Sequence, residues 1–87
     1  MSKFSIQISS KAKKDLKKIS SPAQKKIIRA IQDLKINQRP QQFKPLVRHE
    51  IAQCRLRIGD YRVLYDIYEF KKTVLILRIG HRRDIYR

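Results

Sequence analysis

Acidic residues are scarce in this sequence: seven Asp and Glu stand against 22 Lys and Arg, a formal charge of +15 on 87 residues. Such a surplus repels itself in the compact state and attracts polyanions at an enhanced rate. Nucleic acid, an anionic membrane and an acidic protein are all admitted as partners by charge alone. Cysteine occurs once, at Cys54, which excludes an internal disulfide and fits a reducing cytoplasmic setting. Two histidines and that cysteine have no ligand spacing, so no metal site or other small-molecule cofactor is expected. Two glycines, Gly59 and Gly80, are too few for a phosphate-cradling loop. No apolar run approaches the roughly 18 residues that cross a bilayer. A membrane-surface role is the weakest of the three, because the apolar residues are used in a core rather than along one exposed helix face. The opening MSKFSIQISSK alternates, without a continuous apolar region or a small-residue cleavage site, so no secretory signal is expected.

What the chain does contain is enough for one core. At 41% apolar, residues 1–87 are expected to form a single small domain. The strongest local statement is 55–65, RLRIGDYRVLY, where two alternating runs meet at a Gly-Asp pair with room only for a tight β-hairpin turn. With Gly59 and Asp60 as the turn, Ile58 faces Tyr61, Arg57 faces Arg62, Leu56 faces Val63, Arg55 faces Leu64 and Cys54 faces Tyr65. The two-residue period then puts Cys54, Leu56, Ile58, Tyr61, Val63 and Tyr65 on one face and Arg55, Arg57 and Arg62 on the other. Like charges directly across a strand pair are destabilising, so three guanidiniums on one patch point to an anion, read here as RNA phosphate.

Around the hairpin, Phe4, Ile6 and Ile8 alternate in a first strand, and Ala12, Leu16 and Ile19 then take helical spacing. Ser21, Pro22 and Gln24 read as a capping box opening a second helix, with Ala23, Ile27, Ala30, Ile31 and Leu34 as its apolar stripe. Residues 38–53 carry Pro40 and Pro45 and read as an ordered loop pinned to the core by Phe43, Leu46 and Val47. A last, nearly continuous apolar strand, 73–79, pairs best with Ile67 opposite Leu75, Tyr65 opposite Leu77 and Val63 opposite Ile79. That register sets Arg78 beside Leu64, Arg62 beside Gly80, and the tail HRRDIYR next to the arginines. The expected class is α+β: a small antiparallel β-sheet in strand-helix-helix-strand-strand-strand order, packed against two antiparallel N-terminal helices.

The patch then collects Arg55, Arg57, Arg62, His81, Arg82, Arg83 and Tyr86. Guanidiniums bind phosphate bidentately and suit a developing phosphorane dianion, while Tyr86 offers a surface for a base. If RNA is cleaved, its own 2′-hydroxyl can attack the neighbouring phosphate, leaving a 2′,3′-cyclic phosphate without a metal. His81 is then the natural proton carrier. The plainer alternatives are a solvated or ion-paired arginine face, solvated lysine faces on the helices, a Cys54 that only packs, and a His49 that is simply a loop residue.

These residues together, RLRIGDYRVLY, the apolar strand and RIGHRRDIYR, with Lys44-Pro45-Leu46 before them, resemble the RelE group of the RelE/ParE toxin superfamily. The resemblance implies a ribosome-dependent mRNA endonuclease that cuts the codon in the A site, with ribosome and mRNA as partners, held inactive by a RelB-type antitoxin. It implies catalytic roles for Arg57, Arg62, His81, Arg82 and Tyr86, and RNA or phosphate binding by Lys44, Arg55, Arg78 and Arg83. Arg62 matches the family's phosphate-contacting arginine, Arg82 or Arg83 the tail arginine at the leaving oxygen, and Tyr86 the tail tyrosine. Arg55 and Arg57 stand where the best-known member has two lysines, so proton abstraction either passes to His81 or leaves the arginines purely electrostatic. The ParE branch of the superfamily inhibits DNA gyrase without cutting RNA, and a non-catalytic basic RNA-binding module is the third possibility.

Overall fold

The structure, a computed structural model, describes residues 3–85. A first strand, β1 (Ser5–Ile8), is followed by Ser9, whose hydroxyl works in two directions. Its Oγ accepts the Ala12 N–H at 3.1 Å, which starts α1 (Ser10–Lys17), and donates to the Leu77 carbonyl at 3.0 Å, which ties that start to the last strand. Eight residues are too few for a helix to stand alone; this one is held by buried Ala12 and by Leu16 packed on the core.

The second helix, α2 (Ser21–Asp33), begins one residue earlier than the capping-box reading requires. Ser20 is its N-cap without a side-chain bond, and Pro22 lies within the first turn. Gln24 instead reaches back, donating through Nε2 to the carbonyls of Leu16 at 2.7 Å and Ile19 at 3.0 Å. It therefore bonds one carbonyl in the last turn of α1 and one in the connection after it, and fixes the turn between the helices. Ile27, Ile31 and Leu34 form the buried stripe.

Four more strands follow: β2 (Phe43–Pro45), β3 (Cys54–Ile58), β4 (Tyr61–Tyr68) and β5 (Thr73–His81). The sheet order is β1-β5-β4-β3-β2. The α+β class and the element order hold as expected, with two additions. Residues 43–45, expected in a loop, form a short edge strand on β3, and β1 lies parallel to β5, making the sheet mixed. The α1–α2 hairpin belongs to the long crossover that a parallel neighbour demands.

All five pairs of the β3–β4 hairpin have the register expected from the Gly-Asp turn. Gly59 takes φ +58 while Asp60 stays out of the left-handed region, the pattern of a II′ turn. Between β4 and β5 the register agrees for Arg62 with Gly80, Val63 with Ile79 and Leu64 with Arg78, then shifts at Leu64/Tyr65. Tyr65 meets Ile76 and Ile67 meets Val74, where the sequence suggested Leu77 and Leu75. An extra residue in β5, a β-bulge, lets this apolar run serve both faces: Val74, Ile76 and Ile79 enter the core under the helices, and Leu77 packs on the far side.

That main core joins Ala12, Ile27, Ile31 and Leu34 to Cys54, Leu56, Val63, Tyr65, Ile67, Val74, Ile76 and Ile79. On the opposite face Ala52, Leu64 and Ile85 form a second, small cluster, flanked by Leu46 and Leu77. Val47, expected to pin the loop, is 83% exposed; Phe43 and Leu46 do that work.

Candidate functional site

The face away from the helices carries the cations in rows. Lys44, Arg55, Leu64 and Arg78 are successive cross-strand partners over β2 to β5, and Arg57, Arg62 and Gly80 form the next row on the same face. Lys44, Arg55, Arg57 and Arg62 are thus brought together. Arg57 is exposed. Arg62 is half-buried, its Nη1 donating to the carbonyls of Gly59 and Tyr61, both at 2.9 Å, which folds it over the hairpin turn. The Nε of Arg55 is enclosed and has no hydrogen-bond partner among the described residues. Among the described residues neither Arg55 nor Arg57 forms an ion pair with a carboxylate.

Arg78 begins in the first row but its guanidinium turns away from the patch. Its Nε donates to Asp15 Oδ2 at 2.9 Å, and the same oxygen accepts the Ile79 N–H at 3.0 Å. β1 pairs with β5 only as far as Ile76, so Asp15 takes over the open edge beyond it. The hydrogen bond to Asp15, more than burial opposes it, pushes the Arg78 pKa up. Expected as a phosphate contact, Arg78 is occupied in holding α1 to the sheet.

The tail crosses from the strand end onto the arginine face. The Arg82 N–H donates to the Asp60 carbonyl at 2.7 Å, and its Nε lies 3.8 Å from Asp60 Oδ1 in an exposed pair that is worth little by itself. Ile85 donates its N–H to the His81 carbonyl at 3.0 Å and is buried against Leu64 and Ala52. Gly80 makes room for it: a Cβ there would stand 3.1 Å from Ile85 Cδ1. Arg82 and Arg83 are exposed on this turn. Tyr86, the expected base-stacking residue, lies outside the described residues.

His81 goes elsewhere. It pairs with Tyr61, one residue out of phase with Arg62 and Gly80, so it shares the helix side of the sheet. Its ring meets Tyr61 edge to face with centroids 5.7 Å apart. Its Nδ1 accepts the Arg83 backbone N–H at 3.2 Å. The proton carrier that the sequence suggests is therefore not on the face that carries Arg57 and Arg62. His49 uses its Nδ1 in the same way, accepting from Ile51 at 3.2 Å and Ala52 at 3.4 Å.

Other titratable groups near the core are kept neutral. Burial pushes the Cys54 thiol up to about 11, and it pushes the Tyr65 hydroxyl up as well; that hydroxyl donates to the Gln38 carbonyl at 2.8 Å. Neither is a nucleophile or proton carrier near neutrality. Among the described residues no three of His, Cys, Asp and Glu gather where they would hold a metal ion. No helix among them is long and apolar enough to cross a membrane.

Sequence reasoning overlooked Asp15 and Ile85, and it read Asp60 as a turn residue without its tie to Arg82. Only Ile85 carried a local signal, an isolated apolar residue in a charged tail.

Residues 6–86 match the family profile described as ParE toxin of type II toxin-antitoxin system, parDE. Putative toxin RelE1 of Methanocaldococcus jannaschii is 30% identical over 87 residues, covering 98% of this chain and 97% of its own. Toxin RelG of Mycobacterium tuberculosis is 50% identical over 44 residues, a match that spans about half of each chain, 51% of both. Among solved structures, the toxin–antitoxin complex RelBE2 of M. tuberculosis superposes with a TM-score of 0.83 at 30% identity, covering 97% of both chains. The RelE–RelB complex of Pyrococcus horikoshii OT3 superposes at 0.81 with 21% identity, covering 94% of this chain and 98% of that one, a likeness of fold. A profile that runs through nearly the whole sequence and a relative alike from end to end place this chain in the RelE/ParE family of toxins of type II toxin–antitoxin systems.

Proposed function

We propose that this toxin is a ribosome-dependent mRNA endonuclease. The single observation that carries the reading is the pairing of Arg57 directly across from Arg62, with Arg55 and Lys44 in the adjacent row of the same face. Two arginines whose Cβ atoms a strand pair holds about 5 Å apart carry like charges that repel each other without an anion between them and grip a phosphate when one arrives.

In the reaction proposed, the 2′-oxygen of the RNA bonds to phosphorus as the bond to the 5′-oxygen breaks. The 2′-hydroxyl proton is lost to a base and the departing 5′-oxygen takes one up, leaving a 2′,3′-cyclic phosphate and a 5′-hydroxyl. Arg57 and Arg62 stabilise the charge gathering on the phosphoryl oxygens. Arg82, tied to the hairpin turn through Asp60, stands for the leaving oxygen, with Arg55 and Arg83 holding flanking phosphates and Tyr86 a base. Guanidinium is a poor base, so proton removal falls to solvent or to Lys44, the one amine among these four cations of the sheet face.

The solved relatives in complex with RelB support an antitoxin partner. An amphipathic segment of such a partner fits the groove of about 500 Å³ between β1 and α2, lined by Ile6, Ile8, Ile28 and Ile31 beside the open edge of the sheet.

Mapping 5′ ends on translated messages tests the reading, with wild type and Arg62→Ala side by side. Cuts in wild type that depend on ribosomes and fall about a hundredfold in the variant are expected; identical cuts in both, or none in wild type, overturn it. The ParE description of the matching profile favours a second outcome, gyrase inhibition, which would give double-strand DNA breaks with intact messages.

A further inference from the structure

We infer that His81 is a positioning residue, whose Nδ1 closes the tail turn that carries Arg82 and Arg83 and lays Ile85 on the arginine face. The inference concerns the same site as the endonuclease reading, and its activity arm rests on that reading.

Three observations converge on it. The imidazole stands on the helix side of the sheet, while Arg57 and Arg62 stand on the other. A backbone N–H can only donate, so the 3.2 Å contact from Arg83 requires a lone pair on Nδ1 and leaves the proton of the neutral ring on Nε2. The backbone of the same residue does the complementary task, its carbonyl accepting from Asp84 at 2.9 Å and Ile85 at 3.0 Å. One residue thus provides both acceptors of the turn. The reach from a side chain to the N–H two residues on is that of an Asx turn, and it recurs twice more among the described residues: Asn37 Oδ1 accepts from Arg39 at 3.1 Å, and His49 Nδ1 accepts from Ile51 at 3.2 Å. His81 therefore follows a local habit of the sequence, with Tyr61 steadying the ring edge to face.

The pocket beside the ring is lined by Asp15 and Lys18 from α1 and its C-cap, Tyr61 from β4, Arg78 from the same strand and Asp84 from the tail.

His81→Asn and His81→Leu separate positioning from proton transfer. Asparagine restores an acceptor for the Arg83 N–H without a titratable ring; leucine keeps bulk without an acceptor. In ribosome-dependent cleavage, H81N is expected within about threefold of wild type and H81L down roughly five- to tenfold, the scale of one lost hydrogen bond. A general base would instead make both variants fall about a hundredfold or more and would abolish a limb of the pH profile in H81N; that result overturns the inference. A second measurement needs no activity. By NMR of the isolated toxin, the Arg83 amide should exchange slowly in wild type and H81N and quickly in H81L, and the ring nitrogens should report Nε2–H. An unprotected Arg83 amide in wild type overturns the contact even if RNA is cut, whereas a protected amide in a protein that cuts nothing sinks the endonuclease reading and leaves the turn standing.

Discussion

The two faces of the sheet are built from the same strands and held together by different physics. Under the helices, side chains of α1, α2 and all five strands meet in one continuous core. On the other face, three buried residues, Ala52, Leu64 and Ile85, sit among Lys44, Arg55, Arg57 and Arg62. The first face accounts for stability, and the second tolerates charge repulsion that a structure selected for stability alone would remove. Such a division separates what must fold from what must bind, and substitutions should separate it as well.

The largest effect is expected under the helices. Ile76→Ala empties a fully buried site in β5 and should lower the unfolding free energy by about 2–5 kcal/mol in urea titrations. On the open face, Arg57→Ala should cut cleavage of translated message by roughly a hundredfold while leaving the urea midpoint unchanged or slightly raised, because it relieves repulsion with Arg62. A large loss of stability there would mean that the arginines are structural. At the edge between the faces, Asp15→Ala orphans both the Ile79 N–H and Arg78 and should cost about 1–3 kcal/mol; Asp15→Asn, which still accepts a hydrogen bond, should cost less in the same titration. The smallest effect is alkaline. Cys54 rises from 9.0 in the unfolded chain to about 11 in the fold, so its protonated form is favoured by folding. The stability it contributes is complete below pH 9 and is lost as pH rises to about 11. Denaturation midpoints across that range should fall less steeply in Cys54→Val than in wild type, and the native thiol should resist thiol reagents at pH 8.

What could be read from the residues follows how local each cause is. The β3–β4 hairpin was legible pair by pair, because a two-residue turn and strict alternation leave one register. The helices were legible for the same reason, apart from Gln24, whose acceptors lie in the preceding helix. The bulge in β5 was not, since Leu75, Ile76 and Leu77 are interchangeable to any rule based on polarity. The three-residue strand β2 was hidden by Pro45, which an edge strand tolerates. Parallel pairing of β1 has no local signature at all. In the site, the co-facial arginines followed directly from the hairpin register, whereas the diversion of Arg78 to a carboxylate 63 residues away and the turn of His81 to the other face depend on tertiary neighbours.

The place of β5, between β1 and β4, bears on how the protein is made. This interior strand comes last in chain order among the seven described elements, so neither β1 nor α1 has its strand partner until translation has passed Thr73–His81. Emerging N-terminal segments have only a helical hairpin to form, and the long-range closure that completes the sheet comes late and slowly. A growing chain therefore lacks the completed cationic surface, and under the proposed activity the ribosome making the toxin is spared until its final strand is free.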